Sequence, residues 1–446
     1  KPLLLGSRGL SYSTFPFMAG LSPFHQGILM TSNSSTTVTS DHIGEEMTLP
    51  AGNAIIAQSG GPTVVINASL AGVVEAIQES GLAGSIFGAR HAVRGMLEGH
   101  LCALGHLDQD SLNKIALTPG ATLGSSRDKP DEDYCRKIFE QLSTRDIRYF
   151  FYIGGNDSAD TCRIISEVSQ DAGYELRAFH VPKTIDNDLV LNDHTPGFGS
   201  AAKFVACALM GDSLDNKALP GIKIDVIMGR HAGFLTAASA LARTEHGTGP
   251  NLIYLPESIF DIDRFITDVD RVYSKEGRCM IAVSEGIHNS EGTSITQMLA
   301  EQLSGSVERD AHGNVQLSGS GALGDYLARL IRERLGSKLR VRADTFGYLQ
   351  RSFADCVSTS DRTEARESGR AAVQAALDGH TGASLTIRRI SDHPYTVEYV
   401  PVPLQEVARK TKVMPASWIK DGCDVTEDFI EYAKPLVGPL PVIGSI

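Results

Sequence analysis

Short apolar runs bounded by glycine turns recur along this 446-residue chain, and many are followed by stretches whose apolar positions repeat at three and four residues. The first unit is the run Asn53–Gln58, then Ser59-Gly60-Gly61-Pro62-Thr63, then a helical pattern marked by Ile66, Leu70, Val73, Val74 and Ile77. The runs Ile147–Ile153, Leu176–Val181, Ile222–Met228, Asn251–Leu255 and Cys279–Val283 predict further strands. Strand followed by helix, again and again, is the pattern of an α/β enzyme, and open α/β sheets bind ligands at the carboxyl ends of their strands.

The chemistry gathers where those ends fall. Pro182-Lys183-Thr184-Ile185-Asp186-Asn187-Asp188 follows one strand and puts an ammonium, a hydroxyl and two carboxylates within six residues. A cation that holds phosphate beside a carboxylate that draws a proton from a hydroxyl is the division of labour phosphoryl transfer needs, although a polar turn has the same composition. Gly60-Gly61 suits a phosphate at a helix N-terminus or a plain tight turn, and no Gly-Lys-Ser/Thr of a Walker loop occurs in the chain. The Gly/Ser-rich stretch from Thr118 ends in Arg127, a fork of donors for phosphate oxygens. Gly154-Gly155-Asn156-Asp157-Ser158 precedes a helix predicted from near Ala159, so Asp157 is a magnesium ligand or a helix cap. Lys203 is expected in the first turn of a helix over Ala201–Met210, an unfavourable place for a cation unless an anion or open solvent is near.

In the second half, Gly229-Arg230-His231 opens a predicted helix over Ala232–Arg243, and Glu285 ends a strand where it can meet a sugar hydroxyl or cap a helix. Leu339–Arg342 and Thr345–Arg351 cluster arginines around Tyr348, a set suited to a sugar phosphate or to a solvated strand face. Gly319–Gly324 spells Gly-x-Gly-x-x-Gly, but His312–Ser318 before it is a poor strand, so it reads as a loop.

Composition narrows the class. A net charge of −12 argues against a nucleic-acid or membrane-surface binder and requires any positive charge to be local. Seven cysteines without Cys-x-x-Cys spacing point to a reducing, cytoplasmic setting and no structural zinc, and there is no apolar run of membrane-spanning length. Residues 1–50, rich in Ser, Thr and Gly, read as an extension, and the acidic stretch Asp41–Glu46 is unlike a transit peptide.

Together, Gly60-Gly61-Pro62-Thr63, Gly154 to Ser158, Pro182 to Asp188, Met228 to Gly233 and Gly347 to Arg351 resemble the phosphofructokinase family, in its order and spacing, over roughly residues 52–435. Within that family the chain is similar to the diphosphate-dependent branch, since ATP-using members carry glycine where Lys183 and Asp157 stand. The resemblance implies two α/β domains with mainly parallel sheets facing across a cleft. Residues 51–197 plus about 350–385 would bind diphosphate, 198–349 would bind the sugar phosphate, and about 386–446 would be an extra C-terminal segment.

It further implies reversible transfer from diphosphate to the 1-hydroxyl of fructose 6-phosphate, giving fructose 1,6-bisphosphate and phosphate. Asp186 would be the base, with Lys183, Asp157 and Arg230 in the catalytic set. Gly61, Arg127, Lys183 and Lys203 would surround the diphosphate, and Mg²⁺ would sit near Asn156 and Asp157. Thr184, Ile185, Asp186, Met228, Gly229, Arg230, Glu285, Arg342, Tyr348, Leu349, Gln350 and Arg351 would meet the sugar phosphate. Gly221 aligns with an arginine that many relatives supply across a subunit interface, which leaves Lys223 as a candidate to compensate. A homo-oligomer, dimer or tetramer, is expected. The alternatives are an ATP-dependent phosphofructokinase and a non-catalytic regulatory subunit of the same family.

Overall fold

The structure is a computed structural model that describes residues 49–244, 247–303 and 321–444. Residues 1–48, most of the proposed extension, lie outside the described residues, as do His312–Ser318 and the start of the Gly319 motif. Strands β1 (Asn53–Gln58), β2 (Ile86–Ala89), β3 (Leu101–Ala103), β4 (Ile147–Gly154) and β5 (Arg177–Pro182) precede the long helix Phe198–Ala218. Four more follow it, β6 (Ile222–Ile227), β7 (Leu252–Tyr254), β8 (Cys279–Ser284) and β9 (Val341–Thr345), and then β10 (Ala383–Asp392) and β11 (Tyr395–Pro403).

They form two main sheets, ordered β11-β10-β5-β4-β1-β2-β3 and β7-β8-β6-β9. The second is parallel throughout. The first is parallel except at its edges, where β3 pairs antiparallel with β2 and β11 with β10. The chain thus returns from the second sheet to the first at β10, and the C-terminal residues extend the first sheet beyond β5.

Continuous apolar strands follow from cover on both faces. Ala54 and Ile56 of β1 pack towards the helices Ile66–Ser80 and Thr359–Leu377, whereas Ile55 and Ala57 face the other side, where Glu132–Thr144 and Asn156–Asp171 lie. The helices Ile66–Ser80 and Thr359–Leu377 touch backbone to backbone. A methyl group at Gly72 would fall 2.0 Å from the Arg366 carbonyl oxygen, and one at Gly369 would fall 2.3 Å from that of Ser69.

Three helices depart from the sequence reading. Asn156 and Asp157 lie inside the helix Asn156–Asp171 rather than before it. The helix Phe198–Ala218 starts three residues early because Asp361, distant in sequence, accepts from Gly197 N (2.7 Å), Ser200 N (3.0 Å) and Ser200 Oγ (2.5 Å). The predicted helix over Ala232–Arg243 is one α-turn, Phe234–Ala237, continued as a 3-10 helix through Ala242.

Candidate active site

Two adjoining cavities of about 500 and 290 Å³ open where the loops after β1, β4 and β5 face those after β6, β8 and β9. Arg127, Lys129, Asn156, Asp157, Asp186, Asp188 and Arg230 line both, so the two are halves of one cleft.

The smaller half is built from glycine turns. Gly60, at φ +75°, donates its N–H to the Ser126 carbonyl (2.9 Å), and its own carbonyl accepts from Ser125 Oγ (2.6 Å), which fixes the turn after β1 to the loop that carries Arg127. Across it, Lys183 N donates to Gly154 O (2.9 Å), and Lys183 Nζ donates to Gly61 O (2.8 Å). Any side chain at Gly60 would meet this ammonium at 3.1 Å, and one at Gly61 would meet the Arg351 guanidinium at the same distance. The glycines therefore leave the space the two cations enter.

Burial shapes the titration of these groups. Lys183 is only 3% exposed, and desolvation, reinforced by the nearby Arg351, pulls its ammonium down to about 7. The same burial raises the Asp186 carboxyl, against the pull of Arg351, Lys183 and Arg230. Burial and the neighbouring Asp186 charge push Asp188 up to about 7. A cation that is costly to keep charged, beside carboxyls that hold protons readily, suits a site whose ligand brings its own negative charge.

At the mouth, Lys129 Nζ stands 3.1 Å from Asp157 Oδ1, with both side chains largely exposed. Asn156 Nδ2 is committed to the Lys410 carbonyl at 2.6 Å, which leaves its buried Oδ1 without a hydrogen-bond partner. An orphaned amide oxygen next to a carboxylate is a hard-oxygen donor set of the kind Mg²⁺ takes, so these residues fit that ion.

The larger half is closed by Met228, Glu285, Tyr348 and Arg351, along with His231, Arg409 and Thr411. Gln350 is buried, and its Oε1 accepts from Met228 N at 3.3 Å, tying the loop after β9 to the loop after β6. The Arg351 guanidinium carbon lies 4.4 Å from the centre of the Tyr348 ring, a cation–π contact that presents the guanidinium to the cavity. Gly229, at φ +142°, lies behind the wall and accepts from Ser284 Oγ (2.6 Å).

Of the residues read from sequence, Gly61, Arg127, Asn156, Asp157, Lys183, Thr184, Asp186, Met228, Arg230, Glu285, Tyr348 and Arg351 line the cleft. Ile185 is buried in the core, and Leu349 is 66% exposed outside the cleft. Lys203 is not in the lining. Because the helix begins at Phe198, Lys203 falls in its second turn and its Nζ turns to the Val357 carbonyl at 3.4 Å. Arg342 is also outside, paired with Asp215 at 2.7 Å. Nor does Lys223 reach the cleft, since its ammonium is held among Asp212 (3.1 Å), Asp225 (3.9 Å) and Asp344. The sequence reading missed Asp188, Lys129, His231, Arg409 and Thr411. The first stood inside the central loop, but Arg409 and Thr411 come from a distant segment and gave no local signal.

The phosphofructokinase family profile matches residues 53–376. A pyrophosphate–fructose 6-phosphate 1-phosphotransferase of Rhodospirillum rubrum is 54% identical over 388 residues, covering 87% of this chain and 94% of that protein. A sulfofructose kinase of Alkalicoccus urumqiensis is 30% identical, covering 82% and 91%. Among solved structures, a pyrophosphate-dependent phosphofructokinase of Nitrosospira multiformis superposes with a TM-score of 0.77 at 35% identity, over 88% of this chain and 94% of that one.

Proposed function

The chain belongs to the phosphofructokinase family, and from that premise we propose that it is a diphosphate-dependent 6-phosphofructokinase. It moves a phosphoryl group reversibly from diphosphate to the 1-hydroxyl of fructose 6-phosphate, giving fructose 1,6-bisphosphate and phosphate. The observation that carries this reading is the buried Lys183 ammonium, held at the Gly60-Gly61 turn in the same cavity as Asp186.

Diphosphate occupies the smaller half, with its charge met by Lys183 and Arg127. Fructose 6-phosphate occupies the larger half, against Met228, Arg230, Glu285, Tyr348 and Arg351, with Thr184 reaching it from the smaller half. Asp186 takes the proton of the 1-hydroxyl as that oxygen bonds to the near phosphorus; the bridging P–O bond breaks, and its electron pair leaves on phosphate. Arg230 lines both halves and spreads positive charge over the oxygens in transit. Asn156 and Asp157 are the residues that would hold Mg²⁺, which when bound neutralises phosphate charge.

Asp157 lines both halves of the cleft, and its carboxylate would repel the further phosphate of a nucleotide donor. The site thus attracts a short donor and obstructs a long one.

The reading extends to the setting and the assembly. All seven cysteines are free thiols, which accords with a cytoplasmic enzyme, and among the described residues no helix is long and apolar enough to cross a membrane. A homo-oligomer, dimer or tetramer, is the assembly proposed with it.

A coupled assay with Mg²⁺ that compares diphosphate with ATP tests the proposal. Turnover with diphosphate, and the reverse reaction with phosphate, is expected. Preference for ATP would overturn the donor, and silence with both would favour a regulatory subunit. Sulfofructose is the acceptor to run beside fructose 6-phosphate.

A further inference from the structure

The loop that carries Asp186 is held near Thr184 by its own residues, but beyond Asp186 it is held from a distant part of the chain. Asn187, between the two carboxylates, has φ +58°, a left-handed conformation that costs an L side chain energy and that asparagine tolerates better than most. Its side chain is buried, and both ends are gripped from the C-terminal segment. Nδ2 donates to the Tyr432 hydroxyl at 2.8 Å, and Oδ1 accepts from Lys412 Nζ at 3.3 Å.

The same two residues hold the far end of the loop. Tyr432 donates its hydroxyl proton to the Asp193 carbonyl (2.7 Å), and Lys412 Nζ donates to the carbonyls of Asn192 and Asp193, each at 3.0 Å. The backbones pair as well. Lys412 N donates to Asp188 O at 2.7 Å, and Leu189 bridges Thr411. Lys412 and Tyr432 are themselves seated on aromatic rings. Lys412 Nζ lies 4.9 Å from the Phe234 ring centre, and Tyr432 lies against Trp418 at 4.8 Å.

We infer that Lys412 and Tyr432 are positioning residues for the proposed phosphoryl transfer: through Asn187 they fix the backbone on which Asp186 and Asp188 stand. The inference rests on that reaction, and it gives the C-terminal segment a part in it. The strand-end loop supplies the carboxylates, and a segment more than two hundred positions away sets their direction. Arg409 and Thr411, beside Lys412, carry the clamp into the cavity wall.

Two substitutions test it with little disturbance of packing. Tyr432→Phe removes one oxygen and keeps the ring on Trp418, while Lys412→Met keeps the stem and removes the ammonium. Each is expected to lower kcat about tenfold, the scale of a slightly misplaced catalytic group, with KM for both substrates within about twofold. Amide exchange across residues 185–189 should quicken. The deciding measurement is Tyr432→Phe on an Asn187→Gly background. Glycine takes a positive φ without side-chain support, so there the second change should add little. Phe265→Leu, in the core against Tyr254 and away from the cleft, is the control that lowers Tm and leaves kcat in place.

Unchanged kcat in both variants, unchanged exchange, or a fully additive loss on the glycine background would overturn the clamp. A wild-type protein silent with diphosphate would overturn the proposed reaction instead, and the exchange comparison would still decide whether the loop is held this way.

Discussion

Lys183 Nζ and the Gly61 carbonyl oxygen are 2.8 Å apart, a contact that reaches from the end of β5 to the turn after β1, past the end of β4 between them. The ammonium is held by a neutral dipole where a dianion is expected to come. Lys183→Met should lower kcat/KM for diphosphate by about 10²–10³, the scale of losing one preorganised charge partner. Lys183→Gly should likewise weaken diphosphate use without conferring ATP use while Asp157 remains.

The Lys183 ammonium, lowered by burial to about 7, loses its proton in the free enzyme as pH rises through that value. Diphosphate binds the charged form better, so its apparent affinity should fall above about pH 7. Binding at pH 8 should draw a proton that the Lys183→Met variant does not take up. Calorimetry in two buffers of different ionisation enthalpy measures the difference between the two proteins.

Asp186→Asn keeps the shape of the loop and removes the proton acceptor. A fall in kcat of about 10²–10⁴ is expected, the usual worth of general base catalysis, with fructose 6-phosphate still bound. Steady-state kinetics beside equilibrium binding separates the two; a kcat within a few-fold of wild type would exclude Asp186 as the base.

The Lys129–Asp157 pair is exposed, 48% and 63% at the side chains, so it should matter little to the fold. Lys129→Met is expected to change stability by less than about 1 kcal/mol. Its effect should fall on KM for diphosphate, raised a few-fold, because one cation at the mouth is gone. A thermal melt and a diphosphate titration on the same preparation check both halves.

Asp361 is buried and accepts three hydrogen bonds at the start of the helix Phe198–Ala218. Asp361→Ala strands those donors and should cost about 1–3 kcal/mol of stability. The accompanying loss of Tm is readable by calorimetry. An unchanged melt would show that water replaces the carboxylate.

The strands were legible because β1, β4 and β8 are mostly apolar runs, as cover on both faces requires, and because β6 alternates apolar residues with Lys223 and Asp225. Most of the cleft was legible too, because Gly60-Gly61, Asn156-Asp157 and the central loop each sit directly after a predicted strand. What the sequence hid came from afar. The start of the helix at Phe198 depends on Asp361, which lies beyond any local window, and that shift turned Lys203 away from the cleft. Arg342 and Lys223 looked free to meet an anion until Asp215, Asp212 and Asp344 came beside them in space. Lys412 and Tyr432 carry no motif at all; only the fold brings them to Asn187.

The glycine crossing between the helices Ile66–Ser80 and Thr359–Leu377 has a mechanical result. One helix grows from the turn bearing Gly61 and the other follows the loop bearing Arg351, while Val64 N also donates to Arg351 O at 3.0 Å. With no side chains between the two backbones, that pair has no slack to slide. Gly61 and Arg351 therefore travel as a single jaw. Gln350, next to Arg351, accepts from Met228 N, so the jaw also grips the loop after β6.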